Sequence, residues 1–218
     1  MGGAFDRVTV ERERLAVTAV KLAPRLLGAV LVSEIGGARV AVRLTEVEAY
    51  EGTADPASHG FRGPTPRTEI MFGPAGFLYC YFTYGMHWCA NVVCGVEGRS
   101  SAVLMRAGEI VEGADVVAVR RPTAKRAVDY ARGPARLASC LALDAAANGL
   151  DLCSADSPVR LEYVPSRARP GVRSGPRVGI SVATEQPWRF WLPDEPTVSV
   201  FKAGGRKRVP PARHTEQP

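Results

Sequence analysis

The stretch that decides the fold reads LTEVEAYEG over residues 44–52 and LYCYFTYGMHWCAN over residues 78–91. Because side chains alternate between the two faces of a strand, Glu46, Glu48 and Tyr50 are expected on one face if no bulge intervenes. The second part is rich in tyrosine and has the composition of a strand, a turn and a further strand. Carboxylates and tyrosines this close together predict an active site for a flat aromatic substrate.

Two glycine-containing turns frame the strands of this stretch. Gly36-Gly37 predicts a hairpin that leads into a strand over Val40–Tyr50. Thr83–Gly85 predicts a second turn, since its glycine tolerates a positive φ, and this turn would project Tyr84 outward.

The segment 52–74 joins the two halves of the stretch and is rich in glycine and proline. A loop of this length in a compact domain is usually either functional or disordered. It contains His59, which on its own is more often a structural or surface histidine than a site residue.

The remaining pattern contains more strands than helices, and the strands follow one another through hairpins. This predicts an α+β fold with a curved, largely antiparallel, barrel-like sheet flanked by a few helices. Residues 1–203 are expected to form a single domain, and the basic residues 204–218 a disordered tail. Helices are predicted over 15–27, which Pro24 would end or kink, over 113–121, and from Gly133-Pro134 onward. A loop is predicted over 165–176. The other predicted strands are 29–32, 101–107, 159–163, 178–182, 190–191 and 198–201.

Length and hydropathy place this chain among ordinary globular proteins. Its 218 residues fit one domain, and 46% of them are hydrophobic. No apolar run approaches the roughly 20 residues that span a bilayer, and the N-terminus lacks the apolar core of a secretory signal. We therefore expect a cytoplasmic protein, and the lack of a heptad or a long apolar surface predicts a monomer.

The five cysteines are spaced for neither disulfides nor zinc. Their number is odd and no C-x-x-C pair occurs, which favours buried, reduced thiols. Nucleotide-triphosphate, dinucleotide, zinc-protease and zinc-deaminase motifs are also missing. These four classes of site are therefore disfavoured.

The charge is basic and uneven along the chain. The formal net charge is +6 and the isoelectric point about 9.3, and residues 1–60 carry a net charge of −1 while the remainder carries +7. Basic clusters neutralise phosphates and give salt-dependent affinity for nucleic acid, although they equally suit a solubilising surface. The clusters lie at residues 120–136, 167–177 and 202–208.

Residue types alone leave several readings of the site open. A buried Glu48 next to Glu46 would have a raised pKa, as a general acid or base needs, but two solvated carboxylates on a strand edge are also possible. Tyrosine rings stack on bases but more often fill cores. Asn91 and Arg106 lie on neighbouring predicted strands and would converge.

At these motifs the chain resembles the bacterial branch of the alkyladenine (3-methyladenine) DNA glycosylase family. The resemblance covers about residues 22–201, and the Glu-Ala-Tyr and Tyr-Gly-Met motifs in this order and spacing make it specific. The matching pieces are 26–28, 46–50, 65–67, 71–72, 79–86, 89–91, 103–107, 133–134 with Leu137, and 177–179.

The resemblance implies an enzyme that flips a damaged purine out of duplex DNA and hydrolyses its N-glycosidic bond. Glu48 would activate the water, and Arg106 would hold it together with a backbone carbonyl near Val178. The other implied roles are base stacking by Tyr50 and Tyr81, a hydrogen bond from His59, rejection of guanine by Asn91, and intercalation into the duplex by Tyr84.

The same resemblance implies a monofunctional enzyme without a cofactor. No lysine occurs in residues 44–106, so an imine-forming lyase step is not expected. Ala90 departs from the family pattern, in which a larger apolar residue is usual. Two alternatives stay open from the residues themselves: a non-catalytic nucleic-acid-binding module, and a hydrolase of free nucleosides.

Overall fold

The computed structural model describes residues 7–164 and 171–205. Within them an antiparallel sheet runs in the order β1-β7-β2-β3-β6-β5-β4, and β9 joins it on β3 and carries β8. With three α-helices this is the α+β fold that the sequence predicts. The elements are β1 (Val8–Thr9), α1 (Ala19–Leu26), β2 (Val30–Ser33), β3 (Val40–Tyr50), β4 (Leu78–Thr83), β5 (His87–Val93), β6 (Ala102–Glu112), α2 (Ala114–Arg120), α3 (Pro134–Cys140), β7 (Val159–Tyr163), β8 (Arg173–Gly175) and β9 (Arg189–Trp191).

Strand β3 is the centre of the sheet. It pairs with β6 along most of its length, and its other edge is shared between β2 near the start and β9 near the end. All but the last of its residues are buried, since both faces are covered. Helix α1 packs against β3, and α3 packs against β5 and β6. Any charged side chain on β3 is therefore withdrawn from water.

The ladder between β3 and β6 contains a paired irregularity in the middle. Leu44 pairs with Gly108, Glu46 with Ala107 and Val47 with Met105, so that Thr45 and Arg106 are left without a direct partner. Bulges of this kind bend the strand and re-aim side chains. The sequence prediction assumed no bulge, and the structure has one beside both glutamates.

Helix α1 begins four residues later than predicted and continues past Pro24. Its first N–H groups are bound by distant side chains, Ala19 by the Ser101 hydroxyl at 3.0 Å and Val20 by the Glu51 carboxylate at 2.8 Å. Proline removes only one backbone hydrogen bond, and the buried apolar face of the helix is enough to hold the chain helical.

Two predicted strands are absent. The backbone turns at Gly179, with φ +76°, and at Ala183, with φ +50°, so residues 178–182 cannot extend as a strand. Residues 198–201 are held by polar contacts instead of a ladder, including Ser199 N–H to Glu46 at 2.6 Å. Of the predicted loop 165–176, residues 173–175 form β8.

Residues 165–170 of that loop, and most of the predicted tail 204–218, lie outside the described residues. In the described parts of the chain, no helix has the length and apolar character needed to cross a membrane. The cysteines are free thiols, as predicted from their spacing, and four of them are buried.

Candidate active site

A cavity of about 250 Å³ opens beside the middle of β3. The strands β3, β4, β5 and β6 and the segment after β8 all contribute side chains to its wall. Seven of the eight residues predicted for the site line it directly; the eighth, Glu48, lies immediately behind the wall. The lining residues are Tyr50, Ala57, His59, Met71, Tyr79, Tyr81, Thr83, Tyr84, Cys89, Asn91, Leu104, Arg106, Pro134, Val178, Gly179 and Ile180.

Glu48 is fully buried and bonded to three groups of the cavity wall. Its Oε1 accepts from the Val178 N–H at 2.7 Å and faces Arg106 Nη1 at 3.3 Å. Its Oε2 accepts from the Tyr50 hydroxyl at 2.9 Å. Val178 therefore contacts the carboxylate through its amide nitrogen, whereas the resemblance implied a role for a nearby carbonyl.

The environment raises the pKa of Glu48 above its usual value. Burial, which disfavours the charged form, is the dominant cause, and the negative charge of Glu46 adds to it. Arg106, the Val178 N–H and the Tyr50 hydroxyl act in the opposite direction without reversing the shift. A carboxylate tuned upward in this way can accept a proton near neutral pH.

Glu46 lies two residues earlier on the same strand and is also fully buried, but it does not line the cavity. Burial pushes its pKa upward, yet the charges of Arg106 and Arg189 and the Ser199 N–H outweigh burial and hold the pKa below the usual value. The two glutamates thus differ in protonation behaviour although the sequence pattern treats them alike.

Tyr50 is held from behind by a buried arginine. The Arg177 guanidinium lies 4.6 Å from the centre of the Tyr50 ring and 5.1 Å from that of Trp188. Arg177 itself is fully buried in an ion pair with Asp55, with Nη2 2.9 Å from Oδ1. With one face of Tyr50 so covered, the other is left for a flat ligand.

The opposite side of the cavity is a group of aromatic rings on β4 and in the loop that precedes it. Tyr79 and Tyr81 stack with ring centres 5.6 Å apart, and His59 meets Tyr81 edge-on at 4.5 Å. His59 Nδ1 lies 3.1 Å from the Tyr79 hydroxyl. The loop 52–74 thus brings His59 to the wall, where burial first and Arg67 second lower the pKa of the imidazole. His59 is consequently neutral at pH 7.

Asn91 has a fixed orientation in the cavity. Its Nδ2 donates to the Tyr79 carbonyl at 3.1 Å, across the pair of strands β4 and β5. It also pairs in register with Leu104 on β6, two residues before Arg106. The sequence prediction that Asn91 and Arg106 converge is correct, since both line the same cavity.

Tyr84 occupies the tip of the hairpin between β4 and β5. It is 83% exposed and has φ +52°, a left-handed conformation that is uncommon for a side chain of this size. Met86 beside it is also exposed. The turn predicted from the sequence is therefore present, and it projects an aromatic ring into solvent next to the cavity.

Sequence reasoning did not identify several residues that shape this site. Tyr79 and Cys89 line the cavity, and the ion pair of Asp55 and Arg177 supports it from behind. Tyr79, Cys89 and Arg177 all belong to family motifs, although the prediction gave them no role in the site, and Asp55 carried no signal. No three His, Cys, Asp or Glu side chains in residues 7–164 and 171–205 come together as metal ligands would.

Comparison with known proteins gives a consistent result. Residues 13–196 match the family model for methylpurine-DNA glycosylase. The chain is 47% identical over 210 residues to a protein of Streptomyces avermitilis, covering 95% of this chain and 99% of the relative. It is 52% identical to a protein of Frankia casuarinae, covering 91% and 93% of the two chains. Both relatives are named provisionally as 3-methyladenine DNA glycosylases.

Proposed function

This chain belongs to the methylpurine-DNA glycosylase family, and we propose that it flips a damaged purine out of duplex DNA and hydrolyses the N-glycosidic bond. The observation that carries the proposal is the position of Glu48. It is a fully buried carboxylate with a raised pKa, directly behind an aromatic cavity and bonded to three groups of the cavity wall. The products are a free purine and an abasic site.

Glu48 is the general base in this mechanism. A carboxylate has about four lone-pair sites. Oε2 has Tyr50 as its hydrogen-bond donor, so a further site on this oxygen is free among the described residues to bind a water. Glu48 takes a proton from that water while the water oxygen bonds to the anomeric carbon. The bond from that carbon to the purine nitrogen breaks, and its electron pair leaves with the base.

Arg106 supplies the positive charge next to the reacting atoms. It lines the cavity, and its Nη1 already lies 3.3 Å from Glu48. A guanidinium presents several N–H donors in a rigid plane, so one can bind Glu48 while another holds the water. The Val178 N–H keeps the carboxylate in place during the transfer.

The walls of the cavity suit a purine. The free face of Tyr50 and the ring of Tyr81 would enclose the flipped base, and stacking of this kind contributes about 1–3 kcal/mol per base. A neutral His59 can accept or donate one hydrogen bond without repelling a cationic alkylated purine. The fixed amide of Asn91 would crowd the exocyclic amine of guanine, which rejects the normal base.

Tyr84 would fill the gap that the flipped nucleotide leaves in the duplex. Flipping costs a few kcal/mol of unstacking and unpairing, and a side chain inserted into the gap offsets part of that cost. The exposed ring at the tip of the β4–β5 hairpin, beside the cavity, supports this role. The net charge of +6 supports binding to DNA phosphates.

We further propose that the enzyme is monofunctional and acts as a monomer, with residues 1–203 as its single domain. Residues 44–106, which supply most of the cavity wall, contain no lysine that could form an imine with the sugar. The purine cation is already a good leaving group, so the hydrolysis needs no cofactor.

Base release from defined duplexes tests the proposal. Duplexes that carry 3-methyladenine, 7-methylguanine, hypoxanthine or ethenoadenine should lose the modified base and keep the sugar-phosphate backbone intact until alkali is added. Release should slow as salt is raised, because phosphate contacts are screened. Salt-independent cleavage of a free modified nucleoside would instead favour a nucleoside hydrolase. Binding of the duplex without release of the base would favour a non-catalytic nucleic-acid-binding module.

A further inference from the structure

Glu46 does not line the cavity, yet its carboxylate accepts four hydrogen bonds. Its Oε1 accepts from Arg106 Nε, Arg189 Nε and the Ser199 hydroxyl, each at 2.8 Å. Its Oε2 accepts from the Ser199 N–H at 2.6 Å. The carboxylate is fully buried and reaches no cavity space, so these contacts hold protein groups and not a ligand.

One of these partners is the arginine of the site. Arg106 lies at the bulge of β6 and binds Glu46 through Nε while its Nη1 faces Glu48 at 3.3 Å. A guanidinium is planar and rigid, so fixing Nε also fixes the direction in which Nη1 and Nη2 point. The orientation of the cation toward Glu48 is therefore set by Glu46.

A second connection runs through the C-terminal segment. Ser199 is bound to Glu46 through both its hydroxyl and its backbone N–H, and its carbonyl accepts from Arg189 at 2.8 Å. Three residues later, the Lys202 carbonyl accepts from the Gly179 N–H at 3.0 Å. Gly179 follows Val178, whose amide donates to Glu48. Glu46 thus supports two of the three groups that contact Glu48.

We propose that Glu46 is a positioning residue for the glycosylase reaction: it divides the charge of Arg106 between two carboxylates and fixes the guanidinium against Glu48. The inference rests on the proposed function of Glu48 as general base. Glu46 itself is fully buried and does not line the cavity, so it acts through Arg106 and the segment at Ser199.

The charged and titratable groups around Glu48 decide what removal of Glu46 does. With Glu46 neutral, Glu48 becomes the sole carboxylate partner of Arg106 within the described residues. The pair tightens and the repulsion from Glu46 disappears, so the pKa of Glu48 falls. The groups that face or border Glu48 are Glu46 and Tyr50 on β3, Tyr81 on β4, Cys89 on β5, Arg106 on β6, Arg177 before Val178, and Arg189 on β9.

The test compares Glu46→Gln with Glu162→Gln in single-turnover base release from the duplex that the wild type cleaves fastest. Glu162 is a matched control, since it is a largely buried, ion-paired glutamate on β7, which pairs with β1 and β2 and not with β3. Glu46→Gln should lower kcat by about 10- to 100-fold at unchanged KM, because misplaced groups cost that much. In the pH–rate profile, the acid limb of Glu46→Gln should move about one pH unit lower. Glu162→Gln should keep the wild-type pH–rate profile.

A double-mutant cycle identifies the route of the effect. If Glu46 acts mainly through Arg106, Glu46→Gln should lower kcat by a clearly smaller factor in an Arg106→Met background than in the wild type, because only the route through Ser199 and the direct repulsion of Glu48 remain. An acid limb in Glu46→Gln that is unchanged or higher than in the wild type overturns the proposal. A full additional loss in the Arg106→Met background overturns it as well.

Two further measurements keep the proposal testable. Should Glu46→Gln not fold, Ser199→Ala removes one donor from the same carboxylate and should lower kcat several-fold at unchanged KM; a wild-type kcat in that variant overturns the inference. The Arg106 Nε–H resonance, followed against pH, reports the ionisation of Glu48 without catalysis. This resonance tests the role of Glu46 even if the wild type releases no base. A failure of the Glu46 proposal can therefore be distinguished from a failure of the proposed glycosylase function.

Discussion

Glu46 and Glu48 bind different nitrogen atoms of one guanidinium, that of Arg106, at 2.8 and 3.3 Å. The pKa of Glu46 lies below its usual value and that of Glu48 lies above it. Environments that push the pKa values of two neighbouring carboxylates apart assign them different tasks. Glu46, with its lowered pKa, is the more readily ionised of the two and holds Arg106, whereas Glu48 is the group suited to proton transfer.

Glu48→Gln should reduce base release by about 10²–10⁴-fold, the usual contribution of a general base. Binding to lesion-containing duplex should change little, because Glu48 lies behind the cavity wall. Single-turnover release and equilibrium binding measure the two effects. The exposed Glu97→Gln is the control, and base release from Glu48→Gln at the wild-type rate would exclude this residue as the base.

The same variant should not lose stability. A carboxyl whose pKa is raised in the folded state stabilises the protein fully below its unfolded pKa, and this contribution is lost as the pH rises through the folded pKa. At a pH above the folded pKa, the ionised Glu48 therefore costs folding free energy that a neutral glutamine does not. We expect a Tm equal to or above that of the wild type, measured by thermal unfolding at pH 7.

Tyr50→Phe should move the acid limb of kcat/KM to higher pH. The Tyr50 hydroxyl donates to Glu48 and lowers the pKa of that carboxylate, so its loss raises the pKa further, by roughly 0.5–1 unit for one hydrogen bond. Because the base must be ionised, activity is then lost at a higher pH as the solution is acidified. Tyr79→Phe is the control, because it removes a hydroxyl that bonds His59 and not Glu48. It should leave the acid limb of kcat/KM at the wild-type pH.

Tyr84→Ala should slow base release from duplex DNA by roughly 10- to 100-fold. Flipping the nucleotide costs a few kcal/mol, and without the inserted ring no side chain offsets part of that cost. Release from a single strand carrying the same lesion should change far less. Thermal unfolding should be unaffected because the ring is 83% exposed. Val96→Ala, at the tip of the next hairpin, is the matched control; an equal loss on both substrates would contradict an intercalating role.

Asp55→Asn should destabilise the protein by about 3–5 kcal/mol, the cost of leaving a buried charge unpaired. Arg177 would then lose its ion pair while its side chain stays buried against Tyr50 and Trp188. Urea unfolding measures the loss. The control is Asp129→Asn, which removes an exposed ion pair with Arg126 and should leave the midpoint of urea unfolding unchanged. A midpoint for Asp55→Asn that equals that of the wild type would show that the buried pair contributes little to stability.

Local pattern was sufficient for much of the sheet. The predicted bounds of β3 and β7 agree with the structure, since both are runs of strand-forming residues between clear turn signals. The turn at Tyr84 followed from its glycine neighbour. The strands predicted over 178–182 and 198–201 were wrong because an apolar or β-branched run does not reveal the positive φ angles or the distant hydrogen-bond partners that replace a ladder.

The sequence by itself determined that a glutamate, tyrosines and an exposed turn tyrosine belong to one part of a β-rich chain, because these features depend on neighbours within a few residues. It could not distinguish Glu46 from Glu48, which alternation places on one face. Only the tertiary structure separates them. Arg106, Arg189 and Ser199 come from 60 to 153 residues away to surround Glu46, while burial beside the cavity dominates at Glu48. The strength of an electrostatic interaction depends on distance in space and on exclusion of water, and neither is encoded in local pattern.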